Sequence, residues 1–164
     1  MKFLTIFTSL MIAFCALSFS QEKTYAFKGQ VHAYGKTLKD VKVEVYAAGD
    51  LIDESLTKAG GRFSFDLPAE QDFMVEITME SLQSKTIWIS TRNTGDLSFS
   101  VPTFGFDVYL KKEKVTPYGE LNEIPVTFIK YQAKKKVFYM DKTYEEALKN
   151  KEKRIKEEDI LKMR

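Results

Sequence analysis

The sequence predicts a mainly β protein: an antiparallel β-sandwich of seven to eight strands, followed by a β-hairpin and a charged α-helix. Three observations predict it. From Tyr25 to Lys111 apolar residues recur at every second position, turn-forming residues interrupt these runs at short intervals, and charge becomes dense after Lys112.

The chain opens with MKFLTIFTSLMIAFCALSFS, in which Lys2 precedes an apolar run from Phe3 to Leu17 and Ser18 and Ser20 stand three and one residues before Gln21. This is the pattern of a secretory signal peptide, residues 1–20, cleaved after Ser20. No later stretch approaches the roughly 20 apolar residues that a membrane-spanning helix requires, so no transmembrane segment is expected. Cys15 is the only cysteine. Phe14 stands before it where a lipidation site has a small residue, which argues against a lipid anchor at that thiol. The chain left after cleavage would have no cysteine and would rely on its core rather than on disulfides.

The alternating runs are Phe27 and Val31; Val41, Val43 and Val45; Phe63, Phe65 and Leu67; Phe73, Val75, Ile77 and Met79; Ile87 and Ile89; Leu97, Phe99 and Val101; and Phe106, Val108 and Leu110. Successive side chains of a strand point to opposite sides, so each run gives one buried and one wet face. Gly35, Gly49-Asp50, Gly60-Gly61, Pro68 and Asn93-Thr94-Gly95 separate them. One sheet would leave its apolar face open; two sheets packed face to face close it.

After Lys112 the segment TPYGELNE reads as a linker. Residues 124 to 140 fit a hairpin turning near Gln132 to Lys135, with aromatic and branched residues in both arms. Thr143 and Glu146 fit a capping box that starts a helix running from about Tyr144 to Leu161. Its apolar stripe is narrow, Tyr144, Ala147, Leu148 and Ile155, so only its first turns are expected to dock. The chain thus divides into 1–20, 21–112 and 113–164, the last being a linker, hairpin and helix appendage.

Residues 29 to 79 resemble the carboxypeptidase regulatory-like domain, a transthyretin-like β-sandwich of exported bacterial proteins. The resemblance runs through Gly29-Gln30-Val31, Leu38, Val41, Val43 and Val45, is strongest over Thr57-Lys58-Ala59-Gly60-Gly61-Arg62-Phe63-Ser64-Phe65, and continues in Phe73-Met74-Val75-Glu76-Ile77. Thr37 and Asp40 stand where that family often has proline and glycine. The resemblance implies that residues 21–112 form this domain, and that the protein is an accessory or interaction module in the periplasm or on the outer surface of a Gram-negative bacterium.

Little in the residues suggests chemistry. A net charge of +2 gives no field that would favour nucleic acid. His32 is the single histidine, out of phase with Val31 and expected to face solvent. Without a thiol after cleavage, cysteine nucleophiles are excluded, and one histidine excludes multi-histidine zinc sites. Acidic groups such as Asp50, Asp53 and Glu54, or Asp66, Glu70 and Asp72, lack EF-hand spacing. No catalytic residue, cofactor or metal is expected. The candidate partner-binding residues are Trp88, Lys134, Lys135, Lys136, Phe138 and Tyr139. Trp88 is out of phase with Ile87 and Ile89 and is expected either on an outer face, where Tyr109 could join it, or partly buried under the C-terminal segment. The functional expectation is a non-enzymatic exported protein with a separate envelope protein as partner; the alternative is a carbohydrate- or small-ligand-binding module.

Overall fold

The computed structural model describes residues 23–94, 103–112 and 124–162. The segment expected to be a signal peptide, with Cys15, the strand expected over Leu97 to Val101 and the expected linker up to residue 123 lie outside the described residues.

Alternation becomes two sheets. The first is built around β1 (Thr24–Ala33), with β8 (Phe104–Tyr109) along one edge and β5 (Arg62–Pro68), then the two-residue β2 (Lys36–Thr37), along the other. The second has six strands in the order β10 (Val137–Met140), β9 (Thr127–Gln132), β7 (Lys85–Ser90), β6 (Asp72–Thr78), β3 (Lys42–Ala47), β4 (Asp50–Leu56). The inward residues of both sheets form one core, including Phe27, Val31, Val43, Phe65, Leu67, Phe73, Val75, Ile77, Ile87 and Ile89. Each such side chain contributes roughly 1.5–3 kcal/mol by leaving water. Phe27 is central: its ring meets those of Phe65, Phe104 and Phe138 at 5.8, 6.1 and 5.0 Å.

Two ladders depart from the antiparallel expectation. β8 runs parallel to β1, and β9 runs parallel to β7. Both strands enter after long excursions of the chain, which free a strand from the direction a tight hairpin imposes. As a consequence the C-terminal hairpin is part of the larger sheet, with Ile129 and Phe138 in the common core.

Backbone geometry fixes the corner between β4 and β5. Gly60 and Gly61 both have positive φ, 76° and 69°, and a Cβ on Gly61 would stand 2.6 Å from the Val31 carbonyl oxygen. Thr57, fully buried, closes the corner: its hydroxyl donates to the Leu38 carbonyl at 2.7 Å and accepts from the Val41 amide at 3.0 Å. Asp40 takes the left-handed conformation itself, φ 61°, one of the few residue types that tolerates it.

The helix α1 (Lys142–Lys162) begins earlier than the capping box predicts. Asp141 is the cap: its carboxylate accepts from the Tyr144 amide at 3.3 Å, which places Thr143 inside the first turn. Tyr144 docks edge-on against Phe128, centroids 4.3 Å apart, and its hydroxyl donates to the Pro125 carbonyl at 2.6 Å. Ala147, expected to dock, is exposed, whereas Tyr144, Leu148 and Ile155 are half-buried.

Candidate functional site

A cleft of about 700 Å³ lies against the smaller sheet and is walled by the β4–β5 corner. Register explains its lining. Ser64, Lys28 and Gly105 are direct cross-strand partners, as are Arg62, Gln30 and Asp107 in the next row. These positions alternate with the core residues of β5, β1 and β8, so their side chains stand on the opposite face. Gly105 has open space where a Cβ would be. Leu56 and Lys58 bring in the corner; Phe63 and Phe106 border the cleft, but their rings are buried in the core.

Charge in the cleft is unbalanced: Lys28, Lys58 and Arg62 face one carboxylate, Asp107. Gly29 holds the two strands flanking β1 close. A Cβ there would collide with the Phe106 carbonyl oxygen and the Phe63 ring, so only glycine fits. Gln30 ties the floor to the corner, donating through Nε2 to the Gly60 carbonyl at 3.3 Å.

His32 stands on β1 beyond this cleft. Its ring stacks on Tyr109 at 5.0 Å and Nε2 lies 3.8 Å from the Asp107 carboxylate, a distance for ionic attraction but too long for a hydrogen bond. Only 19% of the side chain is exposed, because Tyr109 covers it. The expectation of a freely solvated histidine is corrected on that account.

The residues singled out as partner-binding do not converge. Phe138 is a core residue, packed edge-on against Tyr25, Phe27 and Tyr131, because its phase in β10 points it between the sheets. It is withdrawn as a surface contact. Lys134, Lys135 and Lys136 form the exposed turn between β9 and β10, and Tyr139 is partly exposed on the outward side of β10. Trp88 lies elsewhere, on the outer face of the larger sheet, in a cross-strand row with Tyr46, Met74 and Phe128. Its ring is 6.2 Å from Phe128, so the C-terminal hairpin partly covers it. Tyr109 belongs to the other sheet and does not join it.

Trp88 also borders a hollow of about 520 Å³ with Tyr46, Met74, Gln71, Asp72 and Arg92. Its polar groups are already matched. Asp72 accepts from the Ser90 hydroxyl and from Arg92 Nε, both at 2.7 Å. Burial pushes the Asp72 carboxyl up, but these two donors outweigh it and hold it below the usual carboxylate value. Among the described residues no group of three or more His, Cys, Asp or Glu is placed to hold a metal ion. No helix there is long and apolar enough to cross a membrane.

No family model and no curated protein matches the sequence. Solved structures with a partial likeness to this chain include 3-chlorocatechol 1,2-dioxygenase from Rhodococcus opacus 1CP, 18% identical over 57% of this chain and 62% of that one, TM-score 0.43. Catechol 1,2-dioxygenase from Acinetobacter sp. ADP1 is 13% identical over 60% of this chain and 55% of that one, TM-score 0.44. The Bacillus anthracis TIE protein is 13% identical over 54% of this chain but only 17% of its own, TM-score 0.44. This chain spans less than two thirds of each of these structures. Several of the matched structures are enzymes, against the expectation of a non-enzymatic interaction or carbohydrate-binding module, which is withdrawn. At these identities and TM-scores the likeness is partial and assigns no activity.

Proposed function

We propose that the cleft on the smaller sheet takes up a small organic acid. Its anionic group would sit among Lys28, Lys58 and Arg62, and its apolar body would lie along the exposed Leu56 and over the open surface at Gly105. The observation that carries this reading is the convergence of three cations on a cleft in which, among the described residues, Asp107 is the one carboxylate. A guanidinium presents a planar fork that donates two parallel hydrogen bonds to a carboxylate. Pockets of this size with a few placed polar groups are the usual form of small-molecule sites.

Titration with benzoate and phthalate, followed through backbone amide signals, tests it. Lys28, Arg62 and Gly105 amides are expected to shift together and to saturate. Arg62→Gln should cost about 1.5–3 kcal/mol of binding, an order of magnitude or more in Kd. Lys134→Gln, in the distant turn, should leave affinity unchanged. If no acid shifts the cleft amides, or if Arg62→Gln binds as well as the parent, the reading fails. New product signals during the same titration would show conversion as well as binding. The leader pattern of residues 1–20 supports the further proposal that the protein acts outside the cytoplasm; N-terminal sequencing of the envelope fraction, expected to begin at Gln21, checks it.

A further inference from the structure

Lys85 occupies a position where the fold calls for an apolar side chain. It is in phase with Ile87 and Ile89 on β7 and pairs with Ile77, a fully buried core residue. Its stem therefore runs between the sheets. It ends in a second cavity, about 230 Å³, on the open side of the sandwich between β8, β9 and the first turns of α1. Ile87, Val108, Val126 and Met140 supply the apolar wall and Glu145 the charged group; Asp107 and Tyr109 border the cavity from the outward side of β8. Glu145 is held in place, accepting from the Thr127 hydroxyl at 2.7 Å. Among the described residues Lys85 Nζ makes no ion pair, although Glu152 of α1 is near enough to attract it. Burial, and the neighbouring Lys111 ammonium, push the Lys85 amine below the usual lysine value against the pull of Glu152.

We infer that Lys85 is a nucleophilic amine and that the side cavity is a site for a small aldehyde or ketone, held as an imine. The Nζ lone pair attacks the carbonyl carbon, and the carbonyl oxygen leaves as water with the two amine protons. No oxidant or reductant is involved. An uncharged amine is needed for attack, and an apolar cavity with a second ammonium, Lys111, nearby favours it. Glu145, fixed by Thr127, lines the same cavity. This inference rests on a different cavity from the organic-acid site and stands or falls apart from it.

Reductive alkylation of the full chain with propanal and cyanoborohydride at neutral pH, read by peptide mass spectrometry, tests the site. Lys85 is expected to label several-fold faster than exposed Lys28 or Lys134, and its rate alone should saturate with propanal concentration. Lys85→Met, which restores an apolar side chain at a core-facing position, should remove the fast, saturable phase. Lys111→Gln should slow labelling at Lys85, since removing the neighbouring cation favours the ammonium. Labelling of Lys85 no faster than the exposed lysines, or without saturation, overturns the inference. So does a Lys111→Gln variant whose Lys85 labels at the parent rate.

Discussion

The hairpin β9–β10 and the helix α1 follow one another in a single charge-rich segment, yet they stand in opposite relations to the rest of the molecule. The hairpin extends the six-stranded sheet through a parallel ladder with β7 and places Ile129 and Phe138 in the core. The helix touches the same sheet chiefly through Tyr144, and its described surface is mostly exposed. Dense charge therefore does not mark where packing ends. What decides is whether the alternating positions of a strand find an open sheet edge. β7 offers such an edge, and a helix with a narrow apolar stripe finds little comparable surface.

The contrast can be broken most directly by truncation after Lys112. Loss of β9, with Ile129, and β10, with Phe138, exposes the core and the β7 edge, so the shortened chain is expected to lose cooperative unfolding in urea. A chain that melts like the parent would show that the hairpin is dispensable. Phe138→Ala is the next largest effect, about 3–5 kcal/mol, because the side chain meets four aromatic neighbours and leaves a cavity among them; chemical denaturation measures it. Asp141→Ala removes the helix cap and should cost about 1 kcal/mol, seen as lost helical circular dichroism with the sheet signal kept. Lys151→Ala, on the exposed surface of the helix, should change stability by less than about 0.5 kcal/mol.

Acid sharpens the same comparison. The Lys130 ammonium at 2.7 Å, with the Tyr144 amide, holds the Asp141 carboxyl below its ordinary value. A depressed folded-state value contributes stability above the unfolded value, near pH 4, and loses it as pH falls through the folded value. Helix signal is therefore expected to fade below about pH 4, and the Lys130→Met variant, lacking the partner ammonium, should lose it at higher pH. A coincident shift of the whole molecule would contradict the separation between helix and sheet.

Much of the sandwich was legible because period-two burial is local. Phe63, Phe65, Phe73, Val75 and Ile77 all point inward as their spacing requires. The cap was misplaced because Asp141 and Thr143 are both good capping residues; only the backbone path selects Asp141. The cleft was not legible. Lys28, Lys58 and Arg62 lie on three separate stretches and read individually as ordinary solvated cations. Lys85 did carry a signal, two residues before Ile87 and in phase with it, but a lysine beside a turn reads first as surface.

By itself, then, the sequence determined which faces are apolar, where the chain turns, and that a hairpin and helix close it, since propensity and alternation act between near neighbours. Tertiary structure alone decided that β8 and β9 join their sheets in parallel, that Phe138 is core rather than contact, and that three distant cations share one cleft. Those outcomes depend on which strand edge is free after the others have paired, and no local pattern encodes that.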